Sequence, residues 1–189
     1  MSKAITLVGP IGQAASTLLR QTTLIGKTMR PLEWTKNVFV FAPVFFSGEA
    51  DRLDKLLLVG VVFVAFSAMA SAIYVVNDIH DRERDRAHPS KRHRPIASGA
   101  LSPTIASIWA CGLAAFSLLL MHSSPPLMIT LLTYGALNVL YSMWLKHLVI
   151  LDVFSIALGF VLRVVGGGFI VQIEPSSWLI LPSFLHSLF

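Results

Sequence analysis

Residues Asn77 to Gly99 read NDIHDRERDRAHPSKRHRPIASG, and three of them set out a chemistry. Asp78, Asp81 and Asp85 stand at i, i+3 and i+7, on one face of the chain if the segment is helical. Hard carboxylate oxygens of this kind hold Mg²⁺, which completes its shell with water and phosphate oxygens. A metal so held neutralises charge that develops on a leaving diphosphate. Asn77 sits one turn before Asp81 and can orient a ligand or a metal-bound water. Arg84, Arg86, Lys91, Arg92 and Arg94 follow and can hold further phosphate oxygens, the arginines by paired hydrogen bonds. An EF-hand does not fit, because its ligands fall at every second residue. Neither a Walker loop nor a GxGxxG is present. The competing reading is a solvated loop whose charges only set membrane topology. The regular aspartate spacing, at the end of a long apolar run, favours the metal site.

The elements that must position these acids are membrane spans. Of the 189 residues, 54% are hydrophobic and 13% charged, against about 25% charged in a soluble domain. The mean hydropathy is +0.70. The expectation is an all-α, polytopic membrane helical bundle. Residues 1–29 are polar and form a cytoplasmic lead-in; the membrane domain covers 30–189. Its first apolar segment, Trp34 to Phe46, is short. It extends back to Pro31, which suits a first helical turn, and Pro43 kinks or ends it. Leu56 to Val76 is the clearest span, 21 uncharged residues, where about 20 suffice. Pro103 to Met121, Leu127 to Leu145 and Val149 to Ile173 follow, and a partial sixth begins at Trp178. His88-Pro89 and Pro95 end the helix that carries the acids, leaving a loop able to fold over the site. With the N-terminus cytoplasmic, twelve Lys and Arg residues fall on the cytoplasmic side and two, Arg52 and Lys55, on the other. That bias places the acidic segment on the cytoplasmic side; the expected location is the bacterial inner membrane.

Two ionisable residues interrupt the fifth span, and such groups are functional candidates by default. Asp152 lies near the cytoplasmic end. Arg163 is eleven residues further on, about 16 Å along a helix axis, too far for the two to pair. Arg163 is placed to neutralise a lipid phosphate or to pair with an acid elsewhere. Gly166-Gly167-Gly168 reads as a close helix contact rather than a phosphate loop. The histidines share no metal-ligand spacing, and the single cysteine, Cys111, excludes an internal disulfide framework.

The stretch Asn77 to Asp85, NDIHDRERD, resembles the first aspartate-rich motif of the UbiA superfamily of intramembrane prenyltransferases. Tyr141-Ser-Met-Trp-Leu-Lys146 resembles that superfamily's Tyr…Leu-Lys signature after the fourth helix. Residues 30–48, 88–99 and 151–168 are similar to the subfamily that transfers phosphoribosyl groups to decaprenyl phosphate. The resemblance implies phosphoribosyl pyrophosphate (PRPP) bound with Mg²⁺ at Asn77, Asp78, Asp81 and Asp85. A polyprenyl phosphate attacks the anomeric carbon and diphosphate leaves. Lys36, Arg92, Arg94, Tyr141, Lys146 and Arg163 are then expected at the phosphate or lipid headgroup, with Asp152 orienting bases or a second metal. The product is expected to feed arabinosyl donor synthesis, for a cell-envelope glycan or an arabinosylated nodulation signal. An aromatic prenyltransferase and an inactive membrane fragment are the alternatives. The expected partners are the two substrates, the bilayer and a second copy of the chain; nucleic acid is not among them. The superfamily has about nine membrane helices and a second aspartate motif after the sixth. This chain stops inside the sixth, so the expectation is a truncated product without that motif.

Overall fold

The computed structural model describes Leu19 and residues 21–173, and every regular element in them is helical. Helix α1 covers 21–28. A 3₁₀ helix, η1 (Pro31–Phe41), runs directly into the short α2 (Ala42–Phe46). The long α3 (Leu53–His80) is followed by α4 (Arg82–Ala87) and the single turn η2 (Lys91–His93). Then come α5 (Pro103–Met121), α6 (Pro125–Met143), the turn η3 (Leu145–His147) and α7 (Val149–Val171). Prolines open η1, α2, α5 and α6, where the missing N–H has no partner in any case and the ring's fixed φ matches the helix.

Among the described residues four helices are long and apolar enough to cross a membrane: α3, α5, α6 and the Ile150–Val171 part of α7. The first apolar segment is not one of them. It starts at Pro31 as expected, but it is wound as 3₁₀ helix up to Phe41. The winding changes to α-helix at Ala42, and Pro43 lies in the opening turn of α2, which runs on to Phe46. A 3₁₀ helix rises about 2.0 Å per residue against 1.5 Å in an α-helix, so η1 reaches further for its length than an α-helix would. The expected partial sixth span, from Trp178, lies outside the described residues.

Helix α3 is the axis of the bundle and packs against η1, α5, α6 and α7. Val59, Val62 and Phe66 on α3 are fully buried with Val40, Val44, Leu127 and Leu131 in the main core. Helix α7 meets η1 at close range. A Cβ on Gly167 would lie 1.8 Å from the Val40 carbonyl oxygen, and one on Gly166 would lie 3.0 Å from the Phe66 ring. The triple glycine therefore serves close packing, as its composition indicated. A second cluster joins Ile25, Val75, Ile96, Leu101, Ala106 and Ala110. It fixes the 88–102 segment and α1 on the ends of α3 and α5. Within the lead-in, Ile25 is buried in this cluster and Met29 packs against it. Large apolar side chains such as Leu57, Val61, Ile108, Phe116, Leu119 and Ile129 remain exposed on the outer faces of the long helices, as a hydrocarbon surround requires.

Candidate functional site

The α3 helix continues past the apolar run through Asn77 and Asp78 to His80, and Asp81 takes the bend into α4 with φ −83° and ψ 5°. Backbone bonds carry the helical register across the bend: Asp81 N–H donates to the Asn77 carbonyl and Asp85 N–H to the Asp81 carbonyl, both at 2.8 Å. Asp78 and Asp85 are buried, at 3% and 2% exposure. Buried carboxylates need counter-charge, and two arginines supply it. Arg30 donates to Asp78 Oδ1 at 2.5 Å. Arg94 Nη1 donates to Asp78 Oδ1 at 3.2 Å and to Asp85 Oδ2 at 2.6 Å, so one guanidinium nitrogen bridges both acids. Arg30 also lies over the Tyr74 ring, 5.0 Å from its centroid.

The expected trio does not converge. Asp81 is more open than its neighbours, and its nearest counter-charge is Arg84, at 3.9 Å. Among the described residues no group of three or more His, Cys, Asp and Glu side chains is set to hold a metal ion. The difference lies in the partners: Asp78 and Asp85 are buried against Arg94, while Asp81 at the bend stays partly exposed beside Arg84. The pair nevertheless fits Mg²⁺, which is commonly held by one or two carboxylates plus substrate phosphates. Asp78 and Asp85 already share one cationic group.

Beside the acids, a cavity of about 220 Å³ opens between α3, α6, α7 and η1. Four of the expected residues line it: Lys36, Asn77, Tyr141 and Arg163. Arg163 is 7% exposed. Its Nε donates to Asn37 Oδ1 at 2.7 Å and its Nη2 to the Tyr134 hydroxyl at 2.9 Å. The guanidinium also stacks over the Tyr134 and Phe160 rings, at 4.8 and 5.3 Å. Of the two roles expected for Arg163, pairing with an acid is not seen: no carboxylate of the described residues bridges to it. Lys36 is tied to Glu33 at 2.7 Å, and that hydrogen bond holds the Glu33 carboxyl below the usual carboxylate range.

The remaining expected residues stand apart from the cavity lining. Arg92 is exposed and donates to His93. Lys146 is in η3. Asp152, in the first turn of α7, approaches the Tyr141 hydroxyl, and its Oδ1 is buried without a hydrogen-bond partner among the described residues. Sequence reasoning missed Arg30, Asn37, Tyr74 and Tyr134. Asn37 carried a usable signal, a lone amide inside an apolar run. Arg30 carried none beyond its contribution to the charge bias.

Residues 37–189 match the UbiA prenyltransferase family. The chain is 39% identical over 168 residues to the decaprenyl-phosphate phosphoribosyltransferase of Mycolicibacterium smegmatis, covering 86% of this chain and 53% of that one. The enzyme of the same name from Corynebacterium glutamicum is 39% identical, with 86% and 51% covered. Nodulation protein NoeC of Azorhizobium caulinodans is 36% identical over 153 residues, with 79% and 49% covered. The chain thus spans about half the length of the curated relatives it matches. A UbiA homologue from Archaeoglobus fulgidus, solved bound to DMAPP and Mg²⁺, superposes with a TM-score of 0.71 at 20% identity, over 87% of this chain and 60% of that one. The likeness carries the same helical fold. By its matched length and by these relatives, the chain belongs to the UbiA prenyltransferase family.

Proposed function

We propose that this chain carries part of an intramembrane transferase that moves the 5-phosphoribosyl group of PRPP to a polyprenyl phosphate. An oxygen of the lipid phosphate forms a bond to the anomeric carbon, the bond from that carbon to diphosphate breaks, and diphosphate leaves. The product is polyprenyl-phosphoryl-5-phosphoribose. One observation supports this reading above others: a cation-lined, acid-free cavity opens beside a pair of ion-paired aspartates at the same end of α3. Two anionic substrates need two differently charged places, and these are adjacent.

Asp78 and Asp85, with Asp81 at the bend, would hold Mg²⁺, which when bound neutralises charge on the leaving diphosphate. Arg94 and Arg30, which balance the acids, are within reach of phosphate oxygens on the same side. Arg163 and Lys36 hold the acceptor phosphate, and Tyr141 and Asn77 line its path. The names of the mycobacterial and corynebacterial relatives support decaprenyl phosphate as the acceptor type, and NoeC supports a branch toward nodulation signals. In this reading the product is a precursor of arabinosyl donors, and the acidic segment faces the cytoplasm of the inner membrane, as the charge bias supports.

Membranes holding the chain, given Mg²⁺, radiolabelled PRPP and a polyprenyl phosphate, test the proposal. Label enters the lipid extract, and Asp81→Asn abolishes the transfer. Absence of label, with the protein shown to be inserted, overturns the proposal for this chain. Prenylation of a hydroxybenzoate from a prenyl diphosphate would replace it with the aromatic prenyltransferase reading, which the DMAPP-bound homologue keeps in view.

A further inference from the structure

A buried arginine is ordinarily matched by a carboxylate, because an unpaired charge in a low-dielectric interior is costly. Among the described residues Arg163 is not matched in this way. Its partners are an amide oxygen, a phenol and two aromatic faces, none of them charged. The cavity lining contains two cations, Lys36 and Arg163, and no Asp or Glu. Glu33 pairs with Lys36, and Asp152 lies at Tyr141 rather than at Arg163.

The amide's orientation is set by its second bond. Asn37 is fully buried, and its Nδ2 donates to Ser67 Oγ at 2.9 Å, which turns its Oδ1 toward the guanidinium. An aspartate has almost the same shape and would neutralise the arginine. On the cavity side, Arg163 Nη1 lies over Gly159, where a Cβ would come within 3.3 Å, so glycine leaves the guanidinium open. Apolar lining by Ala70, Ile73, Leu137, Ile156 and Phe160 continues from the charged end.

We infer that Asn37 is a positioning residue that holds Arg163 in place while leaving its charge uncompensated, so that the cavity binds the phosphate monoester head of a lipid. The inference rests on the proposed function for the identity of the acceptor. A guanidinium fork matches phosphate oxygens, and the apolar wall suits the first isoprene-like units of the tail.

The test is equilibrium binding to the full chain in detergent, without PRPP, using farnesyl phosphate, farnesol and inorganic phosphate as probes. The wild type binds farnesyl phosphate more tightly than either of the others. Asn37→Asp weakens farnesyl phosphate binding by about 10- to 100-fold, the scale of a lost hydrogen-bonded charge contact, while the thermal midpoint holds or rises and farnesol binding is unchanged. Gly159→Asp, one turn before Arg163 on α7, neutralises the same guanidinium from the cavity side. It weakens binding well beyond the neutral control Gly159→Asn. If Asn37→Asp fails to fold, the Gly159 pair still decides. Unchanged affinity in a folded Asn37→Asp, or equal effects of Gly159→Asp and Gly159→Asn, overturns the inference. Inorganic phosphate binding as tightly as farnesyl phosphate overturns the lipid assignment. Loss of phosphoribosyl transfer with this binding pattern intact counts against the proposed function alone.

Discussion

Asp78 and Asp85 are almost sealed from water, and one guanidinium nitrogen of Arg94 serves both. Removing it leaves two buried carboxylates short of a partner. Breaking a fully buried pair costs about 3–5 kcal/mol, and the partial exposure of Arg94 lowers the expectation to about 2 kcal/mol. Arg94→Ala should therefore lower the thermal midpoint in detergent, and millimolar Mg²⁺ should recover part of the loss where K⁺ does not. An unchanged midpoint would show that Arg94 does not hold the acids. Asp81 differs. It is partly exposed and 3.9 Å from its nearest base, so Asp81→Asn should shift stability by no more than about 0.5 kcal/mol. Loss of transfer in that variant would then report chemistry rather than unfolding. The nearness of Asp78 and Asp85 was legible from their spacing. Their arginine partners were not, because Arg30 and Asp78 lie 48 residues apart in the chain.

At the level of elements, the approach of α7 to η1 decides where Arg163 sits. Asn37 and Val40 are both on η1, and Arg163 and Gly167 are one helical turn apart on α7. The glycine contact and the Arg163–Asn37 bond are thus two points of one interface. Gly167→Ala places a methyl group against backbone that cannot rotate away, since the Val40 carbonyl would lie 1.8 Å from it. Overpacking costs about 1–3 kcal/mol in yielding cores, and this site should exceed that. The variant should unfold at lower denaturant and lose phosphate-monoester binding with it. Gly112→Ala, with open space around its Cβ, should be neutral or slightly stabilising in the same unfolding measurement. The four long spans could be read from apolar length alone. The 3₁₀ winding of η1 could not, because nothing in its composition separates it from a short α-helix.

For the molecule as a whole, the Lys and Arg bias leads us to propose a topology with the 77–99 segment on the cytoplasmic side. In a Cys111→Ser background, Ser90→Cys and Ser123→Cys place single thiols at exposed positions near opposite ends of the bundle. A membrane-impermeant thiol reagent added to intact cells should label Ser123→Cys and spare Ser90→Cys, and inverted vesicles should reverse the pattern. Labelling of Ser90→Cys in intact cells would overturn the orientation, and with it the access of the site to cytoplasmic PRPP.

What this chain's sequence determined by itself is whatever depends on local periodicity and transfer from water: the spans, their boundaries at proline and charge, the acidic face at the end of α3, and the isolation of Arg163 within an apolar helix. Each is a property of neighbours in the chain, and burial of apolar length enforces it. Tertiary structure alone decided which charges meet. Arg163 finds Asn37 across 126 residues, Arg94 rather than a third acid gathers Asp78 and Asp85, and Asp81 is left at the bend. Those pairings follow from how η1 and α7 pack and where the 88–102 segment folds back. They are set by shape and by the need to satisfy buried charge, and sequence spacing does not encode either.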